Sequence, residues 1–293
     1  MEPTARRVTA NDVEFGVLEL GPDDGPLALC LHGFPDSAHT WRLLLPELAE
    51  RGWHAVAPFM RGYAPTAVPA DGRYQSGALV ADACALHDVL GGDGRAVVIG
   101  HDWGASAAYG AAAYEPDRWN RVVAAAVPPS GALGMGFLDF DQLRRSWYMF
   151  FFQNPLADVA VSMNDLAFIG RLWEDWSPGY DGAADVENVK DCLRDPAHLA
   201  AALGYYRALF DPSKHVPELA EQQAATGAVP PQPTLYLHGR SDGCLGVGLT
   251  SRAGEFLSAG SRVEVVDDAG HFLHVEQPAV VNGLITDFIG QPG

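Results

Sequence analysis

An apolar run, Val97-Val98-Ile99, ends in Gly100-His101-Asp102-Trp103-Gly104-Ala105-Ser106, where a β-type segment turns sharply between glycines and continues as a helical one. Such a strand-to-helix bend exposes a nucleophile, and its usual occupant is a serine whose oxygen attacks acyl carbons. Here the residue between the glycines is Asp102. A serine attacking an sp³ carbon would form an ether, a dead end. A carboxylate forms an alkyl ester, which water hydrolyses at the aspartyl carbonyl. The substrate expected from this residue carries an electrophilic saturated carbon, as epoxides and alkyl halides do. An ordinary aspartate, with a pKa of about 3.9, is already ionised at neutral pH, so a base is needed only for the second, hydrolytic step.

A histidine oriented by an acid fills that role. Among the 10 histidines, His271 stands in the Gly-rich loop Asp267-Asp268-Ala269-Gly270-His271-Phe272, between the strand-like Val263 to Val266 and the last helix. His32, His101 and His238 have comparable strand-end settings, but each adjoins other motif residues that explain it. The acid expected behind His271 is Asp242, which follows Leu235-Tyr236-Leu237-His238-Gly239-Arg240-Ser241. That segment also matches Gly-x-Ser-x-Gly over 239–243 and so nominates Ser241. The residues after it do not run directly into a helix, however, and Asp267 and Asp268 are too near His271 to reach the far imidazole nitrogen. Ser241 is therefore rejected. Breakdown of the ester places charge on an aspartyl oxygen, which needs two backbone N–H donors. The Trp103 amide supplies one, and the Phe34 amide of His32-Gly33-Phe34-Pro35 the other; a cis Phe34-Pro35 bond is compatible with that loop.

These residues need a rigid scaffold. Short apolar runs near 6–10, 13–20, 27–31, 53–57, 95–100, 121–127, 233–238 and 262–266 read as strands. Helical periodicity covers 38–50, 77–90, 104–115, 248–257 and 277–289. The alternation predicts an α/β fold with a mostly parallel eight-stranded sheet and helices on both faces. Between about 130 and 230 the rhythm gives way to an aromatic, mainly helical segment. The expected organisation is a core of 1–129 and 231–293 with a helical cap, 130–230, inserted in it. Residues 137–180 hold more than a third of the chain's aromatic rings, which suggests an apolar lid over an apolar substrate. Trp147 and Phe151, with Trp103 and Phe34, are the expected substrate contacts.

Composition narrows the field further. A chain of 293 residues, 48% hydrophobic and 19% charged, reads as globular with a substantial core. The net charge of −18 is spread along the sequence and disfavours nucleic-acid binding. No apolar run approaches the roughly 20 residues of a membrane span, and the first residues lack a secretory h-region. A soluble, cytoplasmic protein is expected. Cys30, Cys84, Cys192 and Cys244 show no metal-ligand spacing and read as reduced thiols.

With His32-Gly33-Phe34-Pro35, Gly100-His101-Asp102-Trp103-Gly104, the Asp242 loop and Gly270-His271 in order, the chain resembles the α/β-hydrolase superfamily from end to end, and within it the epoxide hydrolase family. The resemblance implies conversion of a small apolar epoxide and water to a vicinal diol through a covalent aspartyl ester. It further implies two cap tyrosines that hold and protonate the epoxide oxygen. Tyr148, before Phe152-Gln153-Asn154-Pro155, matches the first; Tyr206, in Tyr205-Tyr206-Arg207, matches the second, with Tyr205 as the alternative. No cofactor, metal or membrane is implied, and the assembly is a monomer or homodimer. Two departures stand out: Arg61-Gly62-Tyr63-Ala64-Pro65-Thr66, where relatives have Gly-x-Ser after the aromatic residue, and Pro155-Leu156 in place of Pro-Gly. The rival implied by the same Asp-Trp pair is a haloalkane or haloacid dehalogenase, with the Trp103 indole on the halide. Against it, Phe34 offers no second polar halide donor, and Trp103 replaces the arginine usual in haloacid enzymes. A non-catalytic binding protein of this fold is the third reading.

Overall fold

The computed structural model describes residues 2–292. Its eight strands are β1 (Thr4–Ala10), β2 (Val13–Leu20), β3 (Leu27–Leu31), β4 (His54–Pro58), β5 (Val97–His101), β6 (Arg121–Ala125), β7 (Thr234–Gly239) and β8 (Arg262–Val266). They form one sheet in the order β1-β2-β4-β3-β5-β6-β7-β8. β1 and β2 pair antiparallel across the turn at Asn11-Asp12, where both residues take positive φ. Asn and Asp tolerate that conformation through local hydrogen bonding. From β4 to β8 the sheet is parallel. β3, β4 and β5 are buried at every position, which their unbroken apolar runs require of strands covered on both faces.

The core helices are α1 (Leu45–Glu50), α2 (Ser76–Val89) and α3 (Trp103–Tyr114), with α11 (Leu273–Glu276) and α12 (Pro278–Ile289) closing the chain. Two expected helices differ. The span 38–50 divides into a 3-10 turn, Ala38–Leu43, and α1, because Pro46 has no N–H and is tolerated only in the first turn of a helix. The span 248–257 is a 3-10 helix, Val247–Phe256. There the Thr250 and Ser251 hydroxyls donate to the Val247 and Gly248 carbonyls, each at 2.8 Å, and Gly248 and Gly254 weaken any α-helix.

Between β6 and β7 lie α4 (Ser130–Gly136), α5 (Phe140–Arg145), α6 (Trp147–Phe151), α7 (Leu156–Trp176), α8 (Ala183–Leu193), α9 (Pro196–Phe210) and α10 (Ala220–Ala225). α7 opens with the Leu156 amide bonded to Asn154 Oδ1 at 2.9 Å, so a side chain makes the turn after Pro155. It breaks at Met163, followed by three left-handed residues, Asn164 to Leu166. α10 packs on α2 and α3, and the Gly77 amide donates to Gln223 Oε1 at 2.9 Å. The end of the expected cap segment is thus in contact with the core helices. No helix among the described residues is long and apolar enough to cross a membrane, and the four cysteines are free and buried.

The unusual loop at 61–66 is firmly anchored. Arg61, 1% exposed, grips Asp82 of α2 through two bonds of 2.6 and 2.7 Å. The Thr66 hydroxyl donates to the Phe59 carbonyl and accepts from the Gly16 amide. The Tyr205 hydroxyl donates to the Arg61 carbonyl at 2.8 Å, fixing α9 to the core. Removing one partner of a buried ion pair strands the other charge and costs about 3–5 kcal/mol. Asp82→Ala is therefore expected to lower the urea unfolding free energy by about that amount; a change below about 1 kcal/mol contradicts the anchoring role.

Candidate active site

β3 and β5 are adjacent and parallel, and their connections leave in opposite directions, so their carboxyl ends flank the crevice where α/β sheets hold ligands. Asp102 sits there at φ 52°, ψ −117°, a conformation costing a non-glycine residue about 1–3 kcal/mol. Close packing of α3 on β3 enforces it: a Cβ at Gly104 would stand 2.1 Å from the Leu31 carbonyl oxygen. One carboxylate oxygen, Oδ1, accepts the Phe34 amide at 2.7 Å, and the Trp103 amide lies beside the carboxylate and favours its charge. The other, Oδ2, faces His271 Nε2 at 3.8 Å, too far for a direct hydrogen bond. Burial pushes the Asp102 pKa up, partly offset by His271 and the two amides. The Phe34-Pro35 bond is cis.

His271 Nδ1 lies 3.0 Å from Asp242 Oδ2, and both residues are buried. The ring therefore donates from Nδ1 and keeps Nε2 as a lone-pair base turned toward Asp102. Asp242 Oδ1 accepts the Cys244 and Leu245 amides at 2.7 and 2.8 Å. Burial opposes the imidazolium, but the Asp242 charge, its hydrogen bond and the Asp102 charge outweigh it and hold the His271 pKa above its ordinary value.

The other strand-end histidines serve as braces. His32 contacts the Gly33 carbonyl through Nδ1 and accepts the Met60 amide on Nε2, and burial lowers its pKa to about 4. His238 bridges the Tyr236 hydroxyl and the Leu245 carbonyl, steadying the acid loop. His101 Nε2 donates to the His271 carbonyl at 3.0 Å, and burial pushes its pKa well down. Behind it, Asp36, His101 and His274 gather with ligand atoms within 4.8 Å of one another. Neither Asp36 nor His274 had a signal in the sequence. Ser241 is exposed, whereas Asp102 and His271 are buried.

A cavity of about 160 Å³ opens on Asp102 and is lined by Trp103, Tyr148, Met149, Tyr206 and Leu245, among others. Tyr205 and Tyr206 point their hydroxyls in different directions. Tyr205 spends its hydroxyl on the Arg61 carbonyl, whereas the buried Tyr206 hydroxyl lines the cavity and has no hydrogen-bond partner among the described residues. Tyr148 contacts Cys244 Sγ at 3.3 Å. Burial pushes both tyrosines well above the ordinary phenol range. Three expected substrate contacts fall elsewhere. α6 turns only one face inward, so Tyr148 and Met149 are buried while Trp147 is 46% exposed. The rings of Trp147 and Phe151 pack on each other and on Phe168. The Phe34 ring backs Tyr206 and Phe152 instead of lining the cavity, leaving its amide as its contribution. Gln142 and Arg145 of α5 were not foreseen: Gln142 accepts the Gly246 amide and donates to the Cys244 carbonyl, and Arg145 donates to the Asp242 carbonyl.

Comparison with known proteins gives a consistent picture. The sequence family described as the α/β hydrolase fold matches residues 26–278. The chain is similar to Epoxide hydrolase A of Mycobacterium tuberculosis, 31% identical with 98% of this chain and 97% of that protein covered. Among solved structures it is similar to Epoxide Hydrolase A of Mycobacterium thermoresistibile, with TM-score 0.80, 28% identity and 98% of each chain covered. A structure from work on epoxide hydrolases of hot-environment metagenomes superposes with TM-score 0.82 at 26% identity over 99% of both chains.

The His271 environment sets an expected titration. Its imidazole should protonate with a midpoint above 6.5, the usual histidine value, and Asp242→Asn should move that midpoint down, as read by NMR of the ring protons. A native midpoint below 6.5 contradicts the arrangement.

Proposed function

The chain belongs to the α/β hydrolase fold family and, within it, to the epoxide hydrolases, and on that footing we propose how its own residues turn an epoxide into a vicinal diol. Asp102 Oδ2, the oxygen outside the grip of the Phe34 amide, attacks an epoxide carbon. Tyr148 and Tyr206 hold the epoxide oxygen, and one gives it a proton as the C–O bond breaks. Their raised pKa values keep them protonated at neutral pH, and an alkoxide is far more basic than a phenolate, so the transfer runs downhill.

Hydrolysis of the resulting ester falls to His271. Its Nε2 takes a proton from water, the hydroxide adds to the Asp102 carboxyl carbon, and Asp242 stabilises the imidazolium. Negative charge then develops on Oδ1, already held by the Phe34 amide with the Trp103 amide beside the carboxylate; one such donor is worth about 3 kcal/mol. Collapse breaks the bond from the carboxyl carbon to Oδ2 and releases the diol. The imidazolium proton goes to the departing oxygen, and the proton left on the carboxyl restores the tyrosine through solvent. Over the cycle one water is consumed.

The observation that carries this reading is the division of labour between the Asp102 oxygens beneath two buried tyrosines that line the same cavity. A departing halide needs no proton and would leave both phenols without a task. The cavity, about 160 Å³ with Leu133, Phe137, Met149 and Leu245 in its walls, is close to the roughly 150 Å³ that accommodates benzene. A compact aryl or short alkyl epoxide is the proposed substrate class. The free, buried cysteines fit a reducing compartment, and we place the enzyme in the cytoplasm.

Asp102→Ala should abolish ring opening. His271→Gln should open one epoxide per chain and then accumulate the ester, visible as a mass increase equal to the epoxide. Tyr148→Phe with Tyr206→Phe should slow ring opening by about 10² or more. Normal turnover by the His271 variant, or halide release from haloalkanes without diol from epoxides, defeats the proposal.

A further inference from the structure

The carboxyl end of α7 does not simply roof the cavity; it is driven between the loops that carry the base and the acid. Three consecutive amides of the base loop end on it or on its partner. The Gly270 amide donates to Glu276 Oε2 at 2.7 Å, the His271 amide to the Trp176 carbonyl at 3.0 Å and the Phe272 amide to the Ser177 hydroxyl at 3.1 Å. The Ser177 hydroxyl in turn donates to Glu276 Oε1 at 2.6 Å. The same Trp176 carbonyl takes the Gly243 amide at 3.0 Å, so one oxygen joins the base loop to the acid loop. Both loops come in as close as glycine permits: a Cβ at Gly243 would stand 2.0 Å from the Asp175 carbonyl oxygen, and one at Gly270 2.6 Å from the Trp176 carbonyl oxygen. The Trp176 ring is wedged between Tyr148 and His271, with ring centres 4.8 and 5.1 Å away.

We propose that Ser177 and Glu276, together with the Trp176 carbonyl, are positioning residues for His271 that set the rate of ester hydrolysis but not of ester formation. The inference rests on the reading of His271 as the hydrolytic base. His271 stands at the end of a loop that must reach back from β8, across β7 and β6, to a nucleophile on β5. Such a loop holds its side chain to a fraction of an ångström only if its backbone is held, and a misplacement of about 1 Å costs on the order of 10²-fold in rate. The Asp102 elbow and the Phe34 amide make none of these bonds. α7 reaches the Phe34 loop separately, through Trp173 Nε1 to the Pro35 carbonyl at 2.8 Å, and the variants below leave that contact intact. Ring opening, which uses Asp102 and the two tyrosines, should be spared.

Rapid-quench intact-mass measurement of the full-length enzyme mixed with styrene oxide follows the rise and decay of the alkyl-enzyme in one experiment. Ser177→Ala and Glu276→Ala should each slow the decay by about tenfold or more while the rise stays within about twofold. Glu276→Gln keeps an acceptor for the Gly270 amide and should retain most of the native decay rate. Equal slowing of both phases, or native decay in both alanine variants, overturns the proposal. So does a Glu276→Gln variant as impaired as Glu276→Ala, because the role would then be one of charge. Ser177→Ala removes a single hydroxyl, so it answers the question even if a Glu276 variant fails to fold. Failure of the His271 reading itself shows differently: His271→Gln would then form no lasting ester with the same epoxide.

Discussion

A carboxylate with two inequivalent oxygens lies at the centre of this structure. Asp102 Oδ1 is held by the Phe34 amide before any substrate arrives, and Oδ2 faces the cavity and His271. The difference is imposed by the fold. The left-handed elbow aims the side chain across the β3 loop, and the tight packing of α3 on β3 keeps the elbow from relaxing. Because the Phe34 amide is already bonded to the oxygen on which charge would appear, that donor needs no reorganisation at that moment, which is the condition under which such donors are most effective.

The surrounding electrostatics follow from burial. At the site the Asp102 and Asp242 carboxylates accept backbone amides and stand on either side of one imidazole. Burial pushes the pKa of His32, His101 and His274 down, whereas that of His271, alone among these four, is raised by the Asp242 and Asp102 charges. The same burial keeps the cavity tyrosines protonated. Burial and neighbouring charge thus shift chemically similar groups in different directions.

Much of this was legible in the sequence, because the chemistry is tied to residue types at strand ends. The Gly100 to Gly104 turn, the Gly270-His271 loop and Asp242 after β7 announce themselves by type and spacing, and the buried central strands follow from apolar runs. Helix facing on short aromatic elements was not legible. In Trp147-Tyr148-Met149-Phe150-Phe151 every residue is apolar or aromatic, so periodicity could not say that Tyr148 points inward and Trp147 outward. Nor could a sequence report the clasp at Trp176 and Ser177, since backbone amides and carbonyls carry no residue signature. Glu276 looks like any polar residue near a helix start until its two oxygens are seen to end on Gly270 and Ser177.

The central claim is that the enzyme's own carboxylate oxygen leaves with the product. A single turnover in H2¹⁸O, with enzyme in excess over epoxide, tests it directly. Attack by Asp102 followed by hydrolysis at its carboxyl carbon predicts a diol free of ¹⁸O and a label in the peptide containing Asp102. A first-turnover diol that carries ¹⁸O, with Asp102 unlabelled, would mean that water attacks the epoxide itself and that Asp102 never becomes an ester.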